Sequence, residues 1–107
     1  MKLARIILPE RCNQNYMLTL VHSDLRRRLV ADYGGCTRTV GEGSWTNDDG
    51  EIKHERVYIY DVAMERAAVQ DFRALAAEIA ADARQDCVMI VTPQGDVEFV
   101  KPRKEDA

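Results

Sequence analysis

The sequence predicts an α+β protein of the ferredoxin-like type, in which two helices cover one face of an antiparallel sheet. Two segments place apolar residues at three- and four-residue steps, which indicates amphipathic helices. The segments around them are short and rich in β-branched and aromatic residues, which is typical of strands. The elements follow in the order β-α-β-β-α-β with an extra C-terminal strand, which is the split βαβ arrangement.

The length and composition fit a single domain. The chain has 107 residues, of which 46% are hydrophobic and 31% charged, an ordinary range for one globular unit. We expect the α+β domain to span residues 1–101 and a flexible tail to follow at 102–107, because the ending KPRKEDA is polar and lacks apolar periodicity. A chain of this size buries a little over roughly 60% of its unfolded surface. Association of subunits would therefore help the fold.

The charge and the cysteine pattern exclude several classes of function. A net charge of -3 gives no general attraction to phosphate backbones, so we expect no direct nucleic-acid binding. Cys12, Cys36 and Cys87 are widely spaced and the chain has two histidines. This pattern predicts reduced thiols, no metal site and no cofactor.

The first apolar stretch, LARIIL, is too short and too charged for a signal peptide or a membrane span. We therefore expect a cytoplasmic protein without a membrane partner, or one in the host cytoplasm if it is encoded by a virus.

The N-terminal third of the chain is predicted to form a strand followed by a helix. LARIIL reads as a strand that ends at Pro9, which has no amide proton to donate. Asn13 or Asn15 is a candidate helix cap. Gly34 and Gly35 end the helix, because glycine adopts the left-handed conformation common at helix ends. One helical stripe is formed by Leu18, Val21, Leu25, Leu29 and Tyr33.

The next pair of strands forms a hairpin. The segments CTRTV and WT precede a turn at Asp49–Gly50, and EIKHERVYIYDVAM follows it. The glycines of GEGSW predict a long, bent connection from Val40 to Lys53 rather than a tight reversal.

The second helix is predicted over residues 66–84, and two strands, CVMIVT and DVEFV, follow around the turn TPQGD. In the strand before this helix, EIKHERVYIYDVAM, large apolar side chains alternate onto both faces of the sheet, although the helices cover only one face. The sequence therefore predicts a homo-oligomer that forms through the open sheet face.

Several residues near the hairpin have side chains suited to ligand binding. Gly41 and Gly43 could form a nest of amide groups for an anion, although a bend or bulge is the commoner role of such glycines. Trp45 suits a core, an interface or a ligand contact. His54 and Glu55 point to opposite faces, and Glu55 could pair with Arg38 across the hairpin.

The motifs GGCT, GEGSW, DDG and HE resemble those of small bacterial and phage proteins with a PII-like fold, over residues 25–63. The resemblance implies a homotrimer, a partner-binding loop at residues 40–53 and ligand clefts between subunits. PII signalling proteins carry a glycine- and lysine-rich phosphate loop before the fourth strand. This sequence has ADARQDC there, so the resemblance does not extend to ATP.

These features predict a non-enzymatic regulatory module that oligomerises and binds a small anionic ligand, a nucleotide or a protein through the loop at residues 40–53. The candidate ligand-binding residues are Arg38, Gly41, Gly43, Trp45, His54, Glu55 and Tyr58.

Two other functional classes remain open. The first is a phage-type inhibitor or decoy that blocks a host enzyme or a nucleotide-binding protein with acidic side chains. The second is an enzyme with a polar pocket on the sheet around His54, Tyr58 and Arg38. The sequence shows neither paired carboxylates on one face nor a metal-binding set, which disfavours an enzyme. The acidic side chains of the inhibitor hypothesis are Asp48, Asp49, Glu51, Glu65, Asp71 and Glu78.

Overall fold

Five strands and two helices follow one another in the predicted order in a computed structural model that describes residues 1–103. The sheet has the strand order β2-β3-β1-β4-β5, and every neighbouring pair is antiparallel. This layout confirms the predicted α+β, ferredoxin-like fold class. The elements are β1 (Lys2–Pro9), α1 (Thr19–Tyr33), β2 (Thr37–Thr46), β3 (Ile52–Met64), a 3₁₀ turn (Arg66–Ala68), α2 (Val69–Asp82), β4 (Val88–Val91) and β5 (Val97–Val100).

The core lies between the sheet and the two helices. Ile6 in the central strand β1 stands opposite Tyr60 of β3 and Ile90 of β4, and all three side chains are fully buried. The helices contribute their predicted apolar stripes, which include the buried side chains of Leu25 and Phe72. Burial of these side chains is the main source of stability, because each removes a large apolar surface from water.

No helix within residues 1–103 covers the opposite sheet face. Its large side chains include Leu3, 60% exposed, and Phe99, 66% exposed, with Ile59 half-buried between the strands. The guanidinium of Arg5 donates two hydrogen bonds to the Asp61 carboxylate on the same face, at 2.7 and 3.1 Å. The prediction that β3 carries large apolar groups on both faces is therefore confirmed.

The connection between β2 and β3 is shorter than the sequence predicted. The strands pair continuously from Thr37 to Thr46, so the turn covers residues 47–51 rather than residues 40–53. The Asn47 side chain accepts hydrogen bonds from the amides of Asp49 and Glu51, and Gly50 has a φ of 80°. The strand-forming residues on both sides of the glycines extend the ladder, which leaves a five-residue turn.

The segment between β1 and α1 also differs from the prediction. Neither Asn13 nor Asn15 caps the helix, which begins at Thr19 without a side-chain cap. Instead the segment folds back on itself through a bridge between Arg11 and Met17, and Asn15 adopts a left-handed φ of 67°. This hairpin-like loop lies beside the end of β1, where it closes one side of the site described below.

The segment after β5 contacts α2. The amide of Arg103 donates to the carbonyl of Ala77 at 3.1 Å, and its guanidinium donates to Glu78 at 3.0 Å. The flexible tail at 102–107 stays a prediction: Arg103 makes these contacts, and the last four residues of the chain lie outside the described part. Within residues 1–103, neither helix has the length and apolar character needed to span a bilayer.

Candidate functional site

Two adjoining cavities open where β1 ends, and Glu10 lines both of them. The first, of about 210 Å³, lies against α1, and the second, of about 360 Å³, lies against the β2–β3 hairpin. We call them the α1 cavity and the hairpin cavity, and together the Glu10 cleft. The α1 cavity is lined by Glu10, Met17, Thr19, His22, Ser23, Arg26, Arg38 and Tyr58. The hairpin cavity is lined by Glu10, Arg11, Cys12, Asn15, Trp45, His54, Glu55 and Arg56.

The backbone holds Glu10 in place from two sides. Its amide donates to the carbonyl of Arg56 at 2.9 Å, and its carbonyl accepts from the amide of Leu18 at 2.9 Å. The Glu10 side chain is 22% exposed, and the Tyr58 hydroxyl donates to its carboxylate at 3.1 Å. The nearest guanidinium nitrogens, from Arg11 and Arg56, are 3.8 and 3.9 Å away. The carboxylate is therefore fixed in position, and within residues 1–103 no hydrogen-bonded ion pair neutralises it.

The α1 cavity combines an aromatic ring with two arginines. The guanidinium carbon of Arg38 lies 4.9 Å from the centroid of the Tyr58 ring, which is a cation–π arrangement. Neither Arg26 nor Arg38 forms a salt bridge with any residue in the range 1–103. These two side chains can hold a carboxylate or another small anionic group.

A buried imidazole forms the floor of the α1 cavity. His22 is 5% exposed; its Nε2 lies 2.8 Å from the carbonyl oxygen of Pro9, and its Nδ1 lies 2.5 Å from the Tyr60 hydroxyl. Burial lowers the pKa of His22 and raises the pKa of Tyr60, so both groups are neutral at pH 7. A carbonyl oxygen can only accept, so Nε2 carries the proton and donates, and the Tyr60 hydroxyl donates to Nδ1.

The hairpin cavity presents a flat aromatic surface beside hydrogen-bond acceptors. Trp45 is 47% exposed, so much of its indole is open to a ligand. Glu55 is half-buried, and burial raises the pKa of its carboxyl group. The Nδ1 of His54 lies 2.8 Å from the Ser44 hydroxyl. A planar heterocycle with attached hydroxyl groups matches this lining, since rings stack on indole and hydroxyls donate to carboxylates.

The structure brings most of the predicted site residues together, in two groups. Arg38 and Tyr58 meet in the α1 cavity, whereas Trp45, His54 and Glu55 line the hairpin cavity. The hypothetical pocket of His54, Tyr58 and Arg38 is therefore divided between the two cavities. The predicted pair between Glu55 and Arg38 is not formed, because Glu55 stands opposite Gly43 and Arg38 opposite Tyr60, on different faces of the hairpin.

Gly41 and Gly43 line neither cavity, and they do not form the predicted anion nest. Both lie within the regular ladder of β2, and neither has a positive φ. A Cβ at Gly41 would lie 3.3 Å from the Ile59 side chain, and one at Gly43 would lie 3.2 Å from Val57. These glycines therefore allow the β3 side chains to pack closely over β2. They neither bend the strand nor contact a ligand site.

Sequence reasoning did not identify Glu10 and His22 as residues of the site. His22 follows Leu18 by four positions and precedes Leu25 by three, so it falls on the apolar stripe of α1. That spacing was a usable signal of burial. Glu10 had no such signal, because its surroundings depend on the pairing of β1 with β3.

A larger cavity, of about 750 Å³, lies between the helices, away from the Glu10 cleft. Its lining includes Arg28, whose guanidinium is 2.5 Å from the Glu78 carboxylate and is already paired. Tyr33, also in its lining, packs edge-on against Phe72 with ring centroids 6.2 Å apart. Because Arg28 is already paired with Glu78, whereas Arg26 and Arg38 form no salt bridge within residues 1–103, we place the candidate site at the Glu10 cleft.

Comparison with known proteins finds similar folds in two solved structures of enzymes. A phage SAM lyase in complex with S-methyl-5'-thioadenosine (MTA) aligns with a TM-score of 0.70 at 17% identity, covering 97% of this chain and 92% of that chain. A phage SAM lyase in the apo state aligns with a TM-score of 0.66 at 18% identity, over 97% and 91% of the two chains. No family model and no curated protein matches the sequence.

These neighbours support the fold and correct the predicted function. Both are enzymes, and this finding overturns the prediction of a non-enzymatic regulatory module acting through residues 40–53. It also overturns the alternative of a phage-type inhibitor or decoy. The resemblance to PII-like proteins stays a prediction, since neither neighbour bears on it.

Proposed function

We propose that this chain is an enzyme that binds S-adenosylmethionine (SAM) in the Glu10 cleft and cleaves it with release of MTA. The proposal is supported by the likeness of 97% of the chain to a SAM lyase structure that holds MTA. The observation that carries it is the position of Glu10, which lines both a cavity whose two arginines form no salt bridge within residues 1–103 and a cavity in which Trp45 is 47% exposed. The two cavities match the two ends of SAM.

The proposed binding mode assigns one part of SAM to each part of the cleft. The adenosine group lies in the hairpin cavity, with adenine on Trp45 and ribose hydroxyls donating to Glu55. The carboxylate of the amino-acid arm lies in the α1 cavity, against Arg26 and Arg38. The sulfonium lies between them, next to the negative charge of Glu10. A volume of about 360 Å³ falls in the range of small-molecule sites, roughly 300–1,000 Å³.

The proposed reaction breaks the bond between sulfur and the γ carbon of the four-carbon arm. The bonding pair goes to sulfur, which changes from a cationic sulfonium into the neutral thioether of MTA. The γ carbon replaces the lost pair from within the arm: the arm's own carboxylate oxygen closes a lactone on it, or the β carbon loses a proton to the buffer and the freed C–H pair forms an alkene. Both routes balance without water, and identification of the four-carbon product distinguishes them.

Binding of MTA is expected to change the fluorescence of Trp45, the one tryptophan of the chain. Stacking of a base on an aromatic side chain contributes about 1–3 kcal/mol, so Trp45→Ala should weaken MTA binding about tenfold, whereas Trp45→Phe should retain most of it. Fluorescence titration of the wild type and calorimetry of the variants measure this. Val30→Ala, at a side chain that is 53% exposed on α1 and lies outside both the cleft and the open sheet face, is the control. Absence of any fluorescence change at millimolar MTA would contradict the proposed site.

We also propose that the chain forms a homotrimer through the open sheet face. The exposed side chains of Leu3 and Phe99 and the half-buried Ile7 support an interface there, and the resemblance to PII-like proteins implies three subunits. Light scattering during gel filtration should give about three times the 12.2 kDa of one chain. Ile7→Glu should yield monomers, and Leu20→Glu, on the exposed side of α1, should not. A monomeric wild type at micromolar concentration would exclude this assembly.

A further inference from the structure

We propose that His22 is a positioning residue that fixes Glu10 and Tyr58 in the cleft. The inference rests on the proposed function, because it assigns His22 a part in SAM binding without contact to the reacting atoms. One buried imidazole reaches Glu10 by two routes, through the Pro9 carbonyl and through the Tyr58 ring.

The first route is the peptide bond between Pro9 and Glu10. A peptide unit is planar, so the carbonyl of Pro9 and the amide of Glu10 move together. His22 Nε2 donates to that carbonyl at 2.8 Å, and the Glu10 amide donates to the carbonyl of Arg56 at 2.9 Å. The plane is therefore held at both edges, which sets the direction in which the Glu10 side chain leaves the backbone.

The second route is an aromatic contact. The edge of one ring meets the face of the other between His22 and Tyr58, with centroids 4.5 Å apart and an interplanar angle of 77°. The Tyr58 hydroxyl donates to the Glu10 carboxylate at 3.1 Å. His22 thus limits the position of the ring that orients the carboxylate, and the same ring lies against Arg38 at 4.9 Å.

The hydrogen bond from Tyr60 determines which ring nitrogen of His22 is free to donate. Tyr60 is fully buried, and its hydroxyl lies 2.5 Å from Nδ1. Because this hydroxyl occupies Nδ1 as a donor, the ring proton stays on Nε2 and faces Pro9. No buried side-chain polar atom within residues 1–103 lacks a hydrogen-bond partner, so the network is complete.

Two substitutions separate the bonds of the imidazole. In His22→Gln, the amide nitrogen occupies the place of Nε2 and can still donate to the Pro9 carbonyl. The side chain of His22→Asn is shorter. Its amide oxygen can accept from the Tyr60 hydroxyl, but its amide nitrogen does not reach the Pro9 carbonyl. If the Pro9 bond positions Glu10, His22→Asn should raise KM for SAM on the order of tenfold, and His22→Gln should restore most of that loss. The Kd of MTA, which contacts the hairpin cavity, should change less than about twofold in both variants.

A change in fold would give a different result. If His22 acts only through stability, both variants should lose SAM and MTA binding together, in proportion to their unfolded fraction by circular dichroism. That outcome, or equal KM values for His22→Asn and the wild type, would overturn the proposal.

Hydrogen exchange tests the positioning without any ligand. In His22→Asn, exchange of the Glu10 amide should accelerate about tenfold relative to the wild type, while the Thr92 amide, which bonds to Asp96 at 2.9 Å far from the cleft, should be unchanged. If this result is obtained but the wild type neither binds nor cleaves SAM, the proposed function fails and the structural role of His22 stands. Unchanged exchange at Glu10 would overturn the role itself.

If neither variant folds, the wild-type protein still provides a test. Long-range ¹H–¹⁵N spectra of the imidazole should show the proton on Nε2, in slow exchange with water. A proton on Nδ1 would overturn the proposal, because Nε2 would then be unable to donate to Pro9.

Discussion

Glu10→Gln is expected to raise KM for SAM about 10- to 100-fold and to leave the Kd of MTA within about twofold of the wild type. Opposite unit charges about 4 Å apart attract by roughly 1 kcal/mol in water and roughly 4 kcal/mol near a protein surface, and this substitution removes the negative charge beside the sulfonium. MTA carries no net charge, so its binding free energy should not fall by a comparable amount. Gln can still accept from the Tyr58 hydroxyl, which lies 3.1 Å from the carboxylate, so the local structure should be retained.

The effect should appear in KM rather than in kcat. The positive charge on sulfur disappears as the bond to carbon breaks, so a nearby carboxylate stabilises the reactant at least as much as the transition state. Steady-state kinetics with SAM and calorimetry with MTA measure the two constants. Glu65→Gln, a change of the same type at an exposed side chain outside the cleft, is the matched control. An equal loss of SAM and MTA affinity in Glu10→Gln would contradict the placement of the sulfonium.

Phe72→Ala is expected to lower the free energy of unfolding by about 3–5 kcal/mol. Phe72 is fully buried on α2, and its ring meets the Tyr33 ring edge-on at 6.2 Å. Removal of the ring loses its burial and leaves a space between the two helices and the sheet. The expected loss is a large share of the free energy of unfolding of a small domain, which is roughly 5–15 kcal/mol. Urea denaturation followed by circular dichroism measures the change.

Leu20→Ala is the control for this change in stability. Leu20 is 84% exposed on α1, and a substitution at such a position usually alters stability by less than about 0.5 kcal/mol. If Phe72→Ala and Leu20→Ala have similar denaturation midpoints, the helices do not pack on the sheet as described.

The fold could be predicted because local patterns and tertiary packing agree. Leu25 and Leu29 fall on one stripe of α1 and are fully buried, and Gly34 ends that helix with a left-handed φ of 89°. The hairpin was mispredicted because Gly41 and Gly43 were interpreted as a bend. Their role depends on Val57 and Ile59 packing over them from the neighbouring strand, and a single segment of sequence does not contain that information.

The site was only partly predictable for the same reason. Trp45, Arg38 and Tyr58 were identified by residue type, since open aromatic rings and cations are suited to ligands. Two backbone hydrogen bonds hold Glu10 in the cleft: its amide donates to the Arg56 carbonyl, and its carbonyl accepts from the Leu18 amide. Both arise from tertiary structure. The functional prediction failed at a further step, because one fold serves regulatory proteins and enzymes alike, and its chemistry depends on particular side chains.

The most direct test of the central claim is incubation of the purified protein with SAM, followed by mass spectrometry of the products. The proposed function predicts that MTA accumulates in step with the loss of SAM, at a rate proportional to protein concentration and well above a buffer-only sample. MTA formation no faster than in buffer, from folded protein at saturating SAM, would contradict it.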